Sequence, residues 1–415
     1  MTQHARCTEQ ADHPIRGRYA PEFAALAQQF ALHFAESQEI GASLAVYQRG
    51  ECVVDLWGGY ADVTQQIRWQ NDTRAVLYSC TKGLAAMALN MAADRGHFDW
   101  DQPVASVWPA FAQAGKAEIT ARTLFNHRAG LAALDQPLTL TECVDPSPAA
   151  RARVRDALAS QAPAWTPGRD QGYHAVTFGM YAQAFFEQCV GESMGTFLRR
   201  ELFDPLGSDA RLGSESALDA KTAVVYPPGN LARARNMIVA AVTRPSSNEA
   251  RVLRASLAPV SIGRRAFLNP SPGPRGMLAY DEIAVRRGEF ASANATASAQ
   301  GLARAYLPFA SGGLHQGRAF LQEKSISPVY ARQGWSARDR VLRKPIGWSQ
   351  GFLKEERGVF SPTRASFGHA GMGGALGWCD PVHELTFGYV LNGLDWRVRS
   401  PRAVALCNAL YRCKL

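Results

Sequence analysis

A hydroxyl and an amine stand three residues apart, Ser79 and Lys82 in Leu77-Tyr78-Ser79-Cys80-Thr81-Lys82, at the head of an apolar run from Gly83 to Ala93. Ala, Leu and Met favour helix, and Gly96 sits where a glycine ends one. The run is apolar on every side, which predicts a helix buried all round rather than an amphipathic one. Side chains at i and i+3 share a helix face, so Ser79 and Lys82 are neighbours in the first turn. The positive end of a helix opposes an ammonium and favours a developing oxyanion, so Lys82 is a usable base near neutral pH. A serine beside an unprotonated amine is an activated nucleophile. The same four residues also suit a plain capping serine, so the choice rests on the rest of the chain.

Two further stretches carry chemistry. Trp165 to Ala175 is a Pro- and Gly-containing loop leading into a helix, and Tyr173 in it can share proton traffic with a nearby serine and lysine. Phe367 to Gly377 holds five glycines in eleven residues around His369-Ala370-Gly371. Glycines weaken a strand and mark close approach to its backbone; such an edge can lend an N–H to an oxyanion. A competing motif, Gly347-Trp348-Ser349-Gln350-Gly351, matches the G-x-S-x-G elbow. That elbow needs a strand before it, a helix after it, and Asp and His much later. Here Phe352 onward reads as strand or loop, and Asp380 and His383 follow too closely to serve. Cys80 stands beside the serine without the lysine offset and is assigned to packing.

The elements that position these groups follow from pattern. Pro21 to Gln38 carries Phe23, Leu26, Phe30 and Phe34 at helical spacing. Ala42 to Tyr47 and Cys52 to Trp57 flank Gln48-Arg49-Gly50-Glu51 as a hairpin. Ser366–Gly368, Gly374–Cys379 and Glu384–Leu391 read as three more strands, and Pro401–Tyr411 as a helix. Helices are also expected over Arg151–Ser160, Thr177–Cys189 and Ala297–Ala310, and functional loops from Lys221 to Arg287. The result is an α+β fold. Residues 1–75 and 330–415 build an antiparallel sheet domain flanked by helices; residues 76–329 form a mainly helical domain whose loops line the site.

The 415 residues are 47% apolar and 20% charged, enough for a substantial core. The net charge of +9 comes from scattered arginines (38, against 7 lysines) rather than a basic stripe, so no nucleic-acid partner is expected. The N-terminus lacks an apolar leader core and no run of 18 apolar residues follows, so neither membrane insertion nor export is expected, and the protein is placed in the cytoplasm. The eight cysteines stand singly without a C-x-x-C pair, so neither a zinc site nor a disulfide frame is indicated.

Taken in order, Ser-x-x-Lys, Tyr173-His174-Ala175 and His369-Ala370-Gly371-Met372-Gly373-Gly374 resemble the serine β-lactamase and penicillin-binding-protein superfamily, and within it the family VIII carboxylesterases. Asn126 to Leu131 and Gly288 to Asn294 are similar to two further loops of that family. The resemblance implies Ser79 as nucleophile, Lys82 and Tyr173 as general base and acid, and the Ser79 and Met372 amides as oxyanion hole. It places His369, Gly371, Tyr78 and His174 around the substrate, with no metal or organic cofactor. Class C β-lactamases have an asparagine where Ala175 stands and a lysine where His369 stands. Losing both removes recognition of an acylamino carboxylate and leaves acyl transfer, which favours neutral short- to medium-chain esters. Acyl transfer to an alcohol or amine, weak β-lactamase or D-aminopeptidase activity, and a silent binding protein are the alternatives; a homo-oligomer is possible.

Overall fold

The computed structural model describes residues 5–6, 15–229, 261–354, 358–397 and 399–415, with scattered positions between 239 and 254. Much of the loop-rich stretch expected from Lys221 onward, residues 230–260, therefore lies largely outside the described residues. The strands are β1 (Ala5–Arg6), β2 (Ile15–Tyr19), β3 (Gly41–Gln48), β4 (Glu51–Asp62), β5 (Ile67–Arg68), β6 (Ala75–Val76), β7 (Thr296–Ala297), β8 (Leu314–His315), β9 (Arg318–Ala319), β10 (Gly334–Ser336), β11 (Ile346–Ser349), β12 (Phe352–Lys354), β13 (Phe367–Ala370), β14 (Leu376–Asp380) and β15 (Leu385–Leu391). Eleven of them form one sheet in the order β1-β2-β4-β3-β15-β14-β13-β12-β11-β10, with β5 on β4. All its pairings are antiparallel. The seam between the two chain ends is β3 on β15, where Leu44 faces Tyr389 and Ala45 faces Gly388.

The β3–β4 hairpin turns at Arg49 and Gly50, both with positive φ, so Gln48 pairs with Glu51. Two central residues of positive φ suit the twist of a two-residue hairpin. β15 is buried along its whole length and β3 along all but its last residue, as strands covered on both faces must be. Helix α1 (Ala24–Ala35) packs on the C-terminal helix Pro401–Leu410 and on β2 and β4; helix Ala299–Ala305 packs on β3, β14 and β15.

The apolar run after Ser79 forms helix α2 (Thr81–Asp94), buried without a break from Thr81 to Ala92. It touches helix Thr177–Val190 on one side and β12 and β13 on another, which is why no face of it is polar. Two expectations shift. Ser79 lies not in the α-helix but in a 3-10 turn, Tyr78–Cys80, immediately before it. The helix expected over 297–310 is two pieces, Ala299–Ala305 and Leu307–Ala310, because Pro308 has no N–H to continue the first.

Candidate active site

The serine turn is held from two directions. Leu77 N–H donates to the Ala295 carbonyl (2.8 Å) and Ala295 N–H returns a bond to Thr81 Oγ1 (3.1 Å), fixing the turn to the segment that becomes β7. Cys80 Sγ donates to the His369 carbonyl (3.1 Å), fixing it to β13. Burial pushes that thiol up to about 12, so Cys80 packs and does not react. Tyr78 carries a φ of +46°, a left-handed conformation that a bulky residue adopts only under constraint and that gathers at functional sites.

Around Ser79 Oγ stand two proton-carrying groups. Lys82 Nζ is 3.0 Å away and Tyr173 Oη donates to it at 3.3 Å. Lys82 is fully buried and also donates to the Ser292 carbonyl (2.8 Å). Burial disfavours its ammonium and brings its pKa from 10.5 down to about 7. Burial acts oppositely on Tyr173, whose phenol is held protonated well above its ordinary range. One group is thus ready to accept a proton and the other to hold one. The cause for Lys82 is desolvation, rather than the helix terminus invoked from the sequence.

Ser292 belongs to the loop Gly288–Asn294, whose fold is set by Asn294: Oδ1 accepts from Phe290 N–H (2.9 Å), and Nδ2 donates to the Val285 and Gly288 carbonyls. The loop meets helix Thr177–Val190 where Gly179 N–H donates to Ser292 Oγ (3.1 Å). A Cβ on Gly179 would lie 2.2 Å from the Ala291 backbone, so only glycine lets the loop close on the helix and reach Lys82. The sequence marks this loop only through its family resemblance and gives Ser292 no task; a lysine buried in an all-apolar run requires some acceptor, but not this one in particular.

β13 runs past the serine turn and ends at Ala370. Gly371 N–H turns back to the Ala375 carbonyl (2.7 Å). Among the described residues neither the Ser79 amide nor the Met372 amide donates a hydrogen bond within the protein. Met372 is 37% exposed. The carbonyl of the next residue, Gly373, accepts from Arg402 Nη2 (3.1 Å) and Asp395 N–H (2.9 Å), so the segment carrying Met372 is anchored from behind.

His369 is buried, its Nδ1 bonded to the Ala370 carbonyl (2.8 Å) and its Nε2 without a partner among the described residues. Burial and the Lys82 charge hold its pKa well below 6.5, so the ring is neutral. It stacks on Tyr173 with centroids 6.1 Å apart. Tyr78 is buried, its hydroxyl donating to the Met277 carbonyl (3.2 Å). His174 is fully buried behind Tyr173, edge-on to His127. Ala175 is buried and Gly371 partly exposed.

The elbow motif at Ser349 resolves differently. Gln350 and Gly351, both of positive φ, form the two-residue turn between β11 and β12, so no helix follows. Ser349 is fully buried and its Oγ donates to the Pro328 carbonyl (3.2 Å). What this stretch contributes to the site is Trp348, stacked on the Tyr173 ring at 5.5 Å and 6°.

The family model described as Beta-lactamase matches residues 24–407. The chain is 31% identical over 396 residues to the protein named esterase/beta-lactamase LipL of Mycobacterium tuberculosis, covering 94% of this chain and 86% of that one. It superposes on a penicillin-binding-protein homologue from Caulobacter crescentus (TM-score 0.81, 32% identity, 96% of this chain and 99% of that chain). It superposes equally on a family VIII carboxylesterase (TM-score 0.82, 30% identity, 96% and 100%). The chain belongs to the beta-lactamase family and is a beta-lactamase-fold serine hydrolase.

Proposed function

We propose that the protein is a carboxylesterase that cleaves uncharged esters of short to medium acyl chains through a Ser79 acyl-enzyme. The observation that carries this is the buried Lys82 amine, brought to about 7 by desolvation and set 3.0 Å from Ser79 Oγ. Lys82 Nζ takes the Ser79 proton as Oγ bonds to the ester carbonyl carbon, and the carbonyl electron pair moves onto oxygen. The Ser79 and Met372 amides receive that oxyanion; such donors contribute about 3–4 kcal/mol each. On collapse the C–O bond to the alcohol breaks and the departing alkoxide takes a proton from Tyr173, which Lys82 restores. Water then attacks the acyl-enzyme, giving a proton to the same pair; the acyl C–Oγ bond breaks, the pair returns that proton to Ser79 Oγ, and the carboxylic acid leaves.

The substrate class follows from charge. A neutral His369 and the apolar Ala175 stand where the resembled β-lactamases carry an ammonium and an amide, so nothing at those positions selects an acylamino carboxylate. A second reading, β-lactam hydrolysis, is supported by the 31% identical relative named esterase/beta-lactamase LipL. Turnover of p-nitrophenyl butyrate and of a chromogenic cephalosporin by wild type, Ser79→Ala and Ser349→Ala tests both. The expected result is ester turnover well above cephalosporin turnover, a loss on the order of 10⁶-fold in Ser79→Ala, where the reaction retains only what the oxyanion hole and binding supply, and no loss in Ser349→Ala. Wild-type ester turnover by Ser79→Ala refutes the mechanism.

A further inference from the structure

Tyr173 lies on a loop, yet its backbone is held at three consecutive amides. Gly172 N–H donates to the His127 carbonyl (3.0 Å), Tyr173 N–H to Asp339 Oδ1 (3.0 Å) and His174 N–H to His127 Nδ1 (3.0 Å). His127 precedes its partners Gly172 and His174 by 45 and 47 residues, and Asp339 follows Tyr173 by 166, so the two come from opposite sides in sequence. Both are fully buried. Asp339 Oδ1 collects two more amides, Val341 and Leu342 (2.9 Å each), which makes it the knot of its own loop. His127 has a φ of +61° and its ring lies against Trp348, with centroids 3.9 Å apart, while Trp348 itself stacks on Tyr173.

We infer that His127 and Asp339 are positioning residues that clamp the backbone on either side of Tyr173 and so set the aim of its hydroxyl at Ser79 Oγ. The clamp needs acceptors, not acids. Nδ1 of His127 must keep its lone pair, which fixes the ring as the Nε2–H tautomer. Burial, with His174, His369 and Lys82 around it, keeps that ring neutral. Precise aim matters because a hydroxyl displaced by about an ångström loses much of its effect on a proton transfer. Among the described residues the hydrogen bonds of His127 go to the backbone beside Tyr173 and not to Ser79, so it acts through Tyr173.

This rests on the proton-donor role proposed for Tyr173, and leaving-group dependence separates the two. An alkyl alcohol needs a proton as it departs; p-nitrophenolate does not. In kcat/KM, Tyr173→Phe and His127→Leu are each expected to lose about tenfold or more on ethyl butyrate beyond their loss on p-nitrophenyl butyrate. A merely destabilised enzyme loses both substrates alike. His127→Asn, whose side-chain oxygen can stand in for Nδ1, and Asp339→Asn, which keeps Oδ1, should recover the ethyl ester relative to His127→Leu and Asp339→Ala. In Tyr173→Phe, adding His127→Leu should cost little more. A Tyr173→Phe enzyme with no selective loss overturns the donor role and the clamp with it. A selective loss in Tyr173→Phe that neither His127→Leu nor Asp339→Ala shares overturns the clamp alone, and the Asp339 pair decides it should His127→Leu fail to fold.

Discussion

Lys82 and Tyr173 both lie within reach of Ser79 Oγ, and the same burial moves their protons in opposite directions: down for the ammonium, up for the phenol. A base works only unprotonated, so the pH dependence has a definite sign. In the free enzyme kcat/KM for the ester should fall as pH drops through about 7, as Lys82 takes its proton, and level off above it. A rising limb near 10 instead would mean an amine that water still solvates, and would remove Lys82 as the neutral-pH base. His369, neutral over that whole range, should add no limb of its own.

Helix α2 owes its apolar surface to what touches it, and one residue shows how tightly. Gly83, next to the base, has Tyr306 Oη 2.3 Å from where a Cβ would sit. Gly→Ala inside an exposed helix stabilises by about 1 kcal/mol. Here Tyr306 is fully buried with its hydroxyl unpartnered among the described residues, so it has no free space to yield. Gly83→Ala is therefore expected to destabilise by about 1–3 kcal/mol, read as a lower denaturation midpoint. Tyr306→Phe in the same chain should recover part of it by removing the clashing oxygen. A stabilised Gly83→Ala would show that the helix shifts freely.

The two ends of the chain meet in a buried ion pair. Arg402 Nη1, from the last helix, bonds Glu39 Oε2 (2.6 Å) and the Gln38 carbonyl, while Nη2 holds the Gly373 and Gly393 carbonyls. Removing one partner leaves the other charge buried and alone, at a cost of about 3–5 kcal/mol. Arg402→Met should show a loss of that size in chemical denaturation. Glu39→Gln with Arg402→Met should lose less than the two single losses added. Because Gly373 follows Met372, the surviving folded enzyme should also have a lower kcat. Full additivity in the double variant would mean that the pair does not act as a unit.

Local sequence determined a good deal: the hairpin at Arg49-Gly50, the C-terminal strands and helix, the buried helix after Ser79, and the adjacency of Ser79 to Lys82. Each of these depends on spacing within a few residues, where periodicity and turn chemistry act. The break at Pro308 is equally local, yet in sequence a proline in the first turn of a second helix looks like the interior of one long helix. Ser292, His127 and Asp339 were out of reach. They act on Lys82 and Tyr173 through backbone carbonyls and single acceptor atoms from tens to hundreds of residues away, and no pattern in a chain marks which carbonyl faces which amide. The Ser349 motif shows the same limit from the other side, since five residues that spell a nucleophile elbow fold as a hairpin turn against α2. Only the packed structure decided that its tryptophan, rather than its serine, serves the site.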